Sequence, residues 1–594
     1  MKNYFKKYEN LILTDIYILI LFCFVIIRYD FYYALNDDVM IKDILAGIYT
    51  GTPESSNIQM LYPLSLVLSL FYRLVPVIPW FGLFLVLCQF GSLYLIAYRS
   101  LKYCQTPAKK MLLLFTQLIL ITATMLEHIV FVQYTITSAM LTTAAVFWFI
   151  TSDSGEDKTF FIKANIPAII LIFLAFTLRP WMLWLLLPFA GITGLYKWSR
   201  ETEFFTKQNF AKYLTLFGIL ILTLFVALII DKLAHSSEEW RKFNLFFANR
   251  TRLYDFQSIP EFEANIAFYE SIGFTSGEVS LLENYNFGLS DKINEITIGQ
   301  VADYAQSQST ENLSFKQRLS EQIRPYIFTM TSGRQFGHFP YNSLVILGYT
   351  TLLGIGIFYN RLGRIMSVLL MMGGVRTGIW LFILMGDRYP VRISHSLFFI
   401  EMVILFAFIL IEITESPPKV VRKSVPYIIA VAALIIALGN IQPYLRTIDF
   451  AFSYHENVNK NWIAMQKFTA RQPGNFYFVD VYSSIFYTEK IFANNSPRPV
   501  NYDIMGGWVV NSPLHRKKLD RQIGTGVTMF EALRDHDNVF LIINPAKDMS
   551  WLPDYYHERG YEIKMVRTGL IEDKTINRKT GIIGTGKLEV YKLR

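Results

Sequence analysis

Runs of about 20 apolar residues recur along this chain, each long enough to cross a hydrocarbon core roughly 30 Å thick. Backbone inside lipid must satisfy its own hydrogen bonds, so such runs fold as helices packed side by side. Candidate spans cover 11–28, 80–98, 111–126, 134–151, 162–178, 181–197, 212–231, 343–359, 365–385, 392–412 and 424–441, eleven in all. Only 17% of the 594 residues are charged, against roughly 25% in soluble domains. The mean hydropathy is +0.32. The expected fold class is therefore a polytopic α-helical membrane protein. Its net charge of +9 needs no nucleic acid partner, because Lys and Arg on cytoplasmic loops account for it. Lys2, Lys6 and Lys7 precede the first run as in a signal peptide. RYDFYYALNDD after it offers no small-residue cleavage site, so the run reads as a retained helix.

The stretch NIQMLYPLSLVLSLFYRLVP, 57–76, is apolar enough to insert but is interrupted by Pro63, Arg73 and Pro76. Charge bias decides whether it crosses. If it does not, loops 99–110, 151–163, 197–212, 359–364 and 413–424 share one side, carrying 4, 2, 4, 2 and 3 Lys or Arg. The short loops opposite, near 127–133, 179 and 386–392, carry 0, 1 and 2. The positive-inside bias makes the first set cytoplasmic. The expectation is thus an embedded, non-crossing segment at 57–76, a cytoplasmic N-terminus and an extracytoplasmic C-terminus. Within a transmembrane domain of residues 1–441, a first outer loop covers 29–79 and a helical insertion covers 232–341. Helix-forming stretches such as SSEEWRKFNLFF, EFEANIAFYESI and INEITIGQVADYAQ fill that insertion. Residues 442–594 alternate strand-like runs (NFYFVDV, NVFLIIN, YEIKMVR, KLEVYKL) with helix-like ones such as VTMFEALRDH, the pattern of an α/β domain. The three cysteines, Cys23, Cys88 and Cys104, lie outside both long polar segments, so disulfides do not hold those together. There is no CxxC or HExxH to suggest zinc.

Asp37 and Asp38 fall at the outer mouth of the first span. After them Ile41, Ile44, Leu45 and Ile48 recur at helical spacing, the pattern of an interfacial helix with its apolar face in lipid. An aspartate held at headgroup depth can act as general base toward a hydroxyl, and neighbouring carboxylates raise one another's pKa. The same pair also suits a helix that has simply reached water.

An inside N-terminus, a first helix ending in NDD at 36–38, embedded helices in the first outer loop and an outward C-terminal domain together resemble the GT-C superfamily of membrane glycosyltransferases. The stretch YPLSLVLSLFYRLVPVIPWFGLFLVLCQF, followed by Arg99 and Lys102, is similar to the region after that family's acidic motif. GDRYPVRISHSLFFIEMV at 386–403 is similar to the start of a late span in many relatives. The resemblance implies transfer of a sugar from a polyprenyl-phosphate carrier to a cell-surface glycan or other acceptor, usually with inversion. It implies an Asp base, Asp37 with Asp38 as its partner, and cations that hold the departing phosphate. Lipid-linked glycan transport and non-catalytic glycan binding are the alternatives.

Candidate phosphate ligands are Arg388, Arg179 and Arg392 at outer span ends, Arg376 inside an apolar run, and Lys42. Arginines at membrane edges also snorkel to headgroups, Arg376 also suits an interhelical pair, and Lys42 lies four residues from Asp38, as an ion pair would. Arg250, Arg334, His338 and His128 are candidate substrate contacts, each with a structural alternative as belt, cap or loop residue. Paired acids bind a divalent cation as readily as a proton, so a metal requirement stays open. Richness in Lys, Asn, Ile, Phe and Tyr points to an AT-rich bacterial genome, hence a bacterial plasma membrane.

Overall fold

The computed structural model describes residues 2–155, 157–201, 205–309, 314–332, 338–386, 389–414, 421–493, 499–572 and 587–594. Among the described residues nine helices are long and apolar enough to cross a membrane: Tyr8–Arg28, Trp80–Tyr103, Tyr134–Thr151, Lys158–Leu178, Lys207–Ala234, Tyr341–Phe358, Leu362–Met385, Val391–Thr414 and Val425–Ala470. The eleven-span expectation included two more segments. Both are helices, Pro107–Thr124 and Pro180–Trp198, but neither is among the nine. Lys109, Lys110, Gln117 and three threonines dilute the first, and two prolines, two glycines and Lys197 dilute the second. Helix Tyr62–Leu74, at 13 residues, spans only about 20 Å, too short to cross. It buries Leu64, Leu68 and Tyr72 and exposes Val67, Leu70, Phe71 and Leu74.

Tyr134–Thr151 is the innermost span, packed against Trp80–Ser100, Lys158–Leu178, Pro180–Trp198 and Val391–Thr414. Its small residues allow that closeness. Thr137, Thr142 and Thr143 return their hydroxyls to carbonyls four residues back, and Ser138 donates across to the Ala175 carbonyl. Nothing polar is stranded by the close approach at these four positions. Between Leu362–Met385 and Val391–Thr414, Arg376 lies 3.6 Å from Glu401, whose other oxygen takes the Tyr349 hydroxyl at 2.7 Å. Arg376 therefore has an interhelical ion-pair partner, the structural alternative for this residue.

The last span does not stop at 441. One helix, Val421–Ala470, continues unbroken for 50 residues, because Ile448, Trp462 and Met465 keep supplying a buried face after the lipid-like composition ends. It leads into a five-stranded sheet ordered Tyr502–Ile504, Phe476–Val479, Val539–Ile543, Lys587–Leu593, Met565–Glu572. The first three strands are parallel and the last two pairings antiparallel. Phe476–Val479 is buried along its whole length, as a parallel strand covered on both faces must be.

The segment preceding the carboxylate pair is zipped into this structure. Tyr32–Tyr33 pairs in parallel with Phe131–Val132, and the Tyr33 amide donates to the Glu489 carbonyl. Helix Asn36–Leu45 follows directly, and Ile41, Ile44 and Leu45 are completely buried while Ile48 is nearly so. The expectation of an interfacial helix facing lipid is corrected. Its apolar face meets protein, and its polar face is covered by the C-terminal region. Arg521 donates to the Thr50 carbonyl at 2.8 Å, and the Lys518 ammonium sits 4.0 Å from the Tyr49 ring centre.

Candidate functional site: one of two carboxylates faces three arginines

Helix Asn36–Leu45 opens with the two acids, and adjacent helical positions point about 100° apart. They have different surroundings. Asp38 is fully buried: one oxygen accepts the Leu35 amide at 3.2 Å and the other the Tyr134 amide at 3.0 Å. It thereby caps its own helix and the central span together. Burial drives its pKa well above the usual carboxylate range, against the pull of those two amides. Asp37 is half-buried and makes neither of these bonds. Burial raises its pKa too, while Arg250, then Arg392 and Arg179, and the Trp508 indole hold it down.

These four neighbours come from four separate stretches. Arg179 sits between Lys158–Leu178 and Pro180–Trp198, its guanidinium donating to Gln59 Oε1 at 2.8 Å and lying 5.1 Å from the Tyr134 ring centre. The Tyr134 hydroxyl donates to the same Gln59 oxygen at 3.0 Å. Arg250, on Glu238–Phe256, lies 5.1 Å from the Tyr285 ring centre and 5.9 Å from that of Tyr254. Arg392 opens Val391–Thr414. Trp508 arrives on the loop after strand Tyr502–Ile504. The three guanidiniums thus favour negative charge at a carboxylate that can accept a proton. That combination holds an anionic group and accepts a proton from a neighbouring hydroxyl.

The Trp508 loop depends on two glycines. A Cβ on Gly506 would lie 1.7 Å from the Tyr285 carbonyl oxygen, and Gly507 has φ +104°. Gly506→Ala is expected to force the loop off residues 285–288 and cost roughly 1–3 kcal/mol, read as a lowered Tm.

The other candidates from the sequence divide clearly. Arg334 and Arg388 lie outside the described residues. Lys42 is corrected: it is buried, with its ammonium 2.7 Å from Asp43 and 2.6 Å from Glu489, so it neither pairs with Asp38 nor reaches a substrate. His128 and His338 are corrected as substrate contacts. His128 is buried with Nε2 2.8 Å from His395 Nδ1, and burial lowers its pKa to about 4. His338 is buried against the rings of Trp380, Phe398 and His395, and its pKa is also lowered by burial. Among the described residues no cluster of three or more His, Cys, Asp or Glu is arranged to hold a metal ion. Sequence reasoning missed Gln59, Tyr134 and Trp508; GGW at 506–508 was the one local signal, a hinged loop tipped with an aromatic donor.

No protein-family model matches the chain, no curated protein matches its sequence, and no solved structure matches its fold.

Proposed function

We propose that this protein is a bacterial plasma-membrane glycosyltransferase of the GT-C type. It moves a sugar from a polyprenyl-phosphate carrier to a cell-surface glycan or similar acceptor on the extracytoplasmic side. The observation that carries the reading is the asymmetry of the acidic pair: Asp38 is spent on two backbone amides, whereas Asp37 makes neither of those bonds and its carboxylate is favoured electrostatically by Arg250, Arg392 and Arg179. In the reaction, the acceptor hydroxyl oxygen attacks the anomeric carbon and its proton passes to the Asp37 carboxylate. The bond from that carbon to the carrier phosphate oxygen breaks, and the phosphate leaves with the electron pair. A single displacement of this kind inverts the anomeric centre. The arginines supply fixed charge where the leaving phosphate gains its own. The topology that goes with it has the N-terminus in the cytoplasm and the 476–593 sheet outside.

Purified protein in nanodiscs with undecaprenyl-phosphate-linked sugars and a membrane acceptor fraction tests this. The expected result is release of free undecaprenyl phosphate coupled to sugar incorporation. Arg250→Ala should lower kcat/KM about tenfold to a hundredfold, the worth of a charge-assisted hydrogen bond. Donor translocation without release would make the protein a flippase, and tight glycan binding without release would make it a scaffold. Either outcome sinks the transferase reading.

A further inference from the structure

A second feature lies at the far end of the helix bundle. Asp38 bonds the first residue of Tyr134–Thr151, whereas Arg99 bonds the last. Eighteen helical residues, about 27 Å, therefore separate the Asp37 site from the Arg99 end. At that end a cavity of about 250 Å³ opens among Trp80–Ser100, Pro107–Thr124, Tyr341–Phe358, Val391–Thr414 and Val421–Ala470. Its walls are almost wholly apolar, with Leu120, Leu344, Phe399, Val403 and Ala433 among them. Its lining on Pro107–Thr124 runs from Lys109 to Ile121, a rise of about 18 Å, close to the depth of one leaflet of a roughly 30 Å core.

The mouth is polar: Lys109, Gln105 and Thr414 line it. The cations on this turn are not equivalent. Lys102 lies 3.6 Å from Asp153, Lys110 lies 2.8 Å from Glu9, and Arg99 donates to Thr151. Lys109 is half-buried, and its ammonium has no hydrogen bond or ion pair among the described residues. It stands in the first turn of a helix of 18 residues, where the helix end adds positive potential. An acyl-length apolar slot, with a half-buried ammonium at its mouth that is unpaired among the described residues, matches an amphiphile with a negative head.

We propose that this cavity is a binding site for an anionic glycerophospholipid of the leaflet on the basic side, one acyl chain in the slot and the phosphate on Lys109. The one-leaflet depth and the distance from Asp37 favour a phospholipid over a polyprenyl phosphate.

The test is native mass spectrometry of full-length protein equilibrated with phosphatidylglycerol and phosphatidylcholine of identical chains. Wild type should retain phosphatidylglycerol about fivefold over phosphatidylcholine, the effect of one lysine near a charged head. Lys109→Ala should erase that preference, and Lys102→Ala should leave it. Phosphatidylglycerol should also slow maleimide labelling of Cys104, which lines the same mouth. Equal retention of the two lipids by wild type would overturn the proposal, as would an unchanged preference in Lys109→Ala. Displacement of phosphatidylglycerol by equimolar undecaprenyl phosphate would overturn it in favour of the carrier.

Discussion

Replacing Asp37 with asparagine is expected to lower sugar transfer by roughly a hundredfold to ten-thousandfold, the range a general base contributes, while leaving the thermal transition close to that of wild type. Asparagine keeps the shape and removes the proton acceptor. Because burial raises the Asp37 pKa, the folded state disfavours the charge, and a neutral amide there relieves that cost. Asp38→Asn should behave in the opposite way. Its amide nitrogen cannot accept, so either the partly buried Leu35 amide or the buried Tyr134 amide loses its partner, at about 1–3 kcal/mol. The pH profile separates the two roles further. The base works ionised, so kcat/KM should fall as pH drops through the Asp37 pKa, along a limb lying above the usual carboxylate range. Arg250 is the strongest of the influences that hold that pKa down, so Arg250→Ala should move the limb to higher pH. A structural defect would scale the profile without moving it.

Lys42→Met should give the largest loss of stability, roughly 3–5 kcal/mol, read as a drop in Tm at neutral pH. The ammonium is almost fully buried and serves two carboxylates, Asp43 on its own helix and Glu489 from the C-terminal region. Glu489 is fixed further by the Gln466 amide at 3.1 Å. Burial already lifts the Asp43 pKa, with Lys42 the main opposing influence, while Lys42 holds Glu489 below its ordinary value. Without Lys42 two buried acids face each other, and both folded-state pKa values rise above their unfolded ones. The penalty is present at pH above those raised values and disappears as pH falls through them. The variant should therefore recover on acidification, and Asp43→Asn in the same chain should restore part of the loss at neutral pH. A loss that does not change with pH would mean that Lys42 contributes packing rather than charge.

Composition and hydropathy made the membrane bundle legible, because run length and lipid thickness are one physical quantity. The two segments outside those nine spans, 107–124 and 180–198, are helices whose polar residues are used by neighbours: Gln117 donates to Ser100, and the Lys197 ammonium to Ser152. Hydropathy counts such residues as polar whether or not they are satisfied. The pattern at Ile41, Ile44, Leu45 and Ile48 correctly announced an apolar face. Periodicity carries no information on what covers that face, and here protein does. A closer signal lay in Lys42 and Asp43, adjacent charges on the same short helix, which need burial with partners or water around them. The acidic pair itself was legible, but the difference between its members was not. Asp38 is distinguished by the amide of Tyr134, and Asp37 by Arg250 and Trp508, residues between 96 and 471 positions away. No local spacing ties such positions together.

The proposed transfer requires a carrier's head group to bind beside Asp37. A structure of the protein with a non-transferable undecaprenyl-phosphonate sugar measures this directly. The expected density puts the phosphonate on the guanidiniums of Arg179, Arg250 and Arg392, with the sugar's anomeric carbon turned toward Asp37. A head group seated elsewhere, with Asp37 and its arginines unchanged and facing only water, would contradict it.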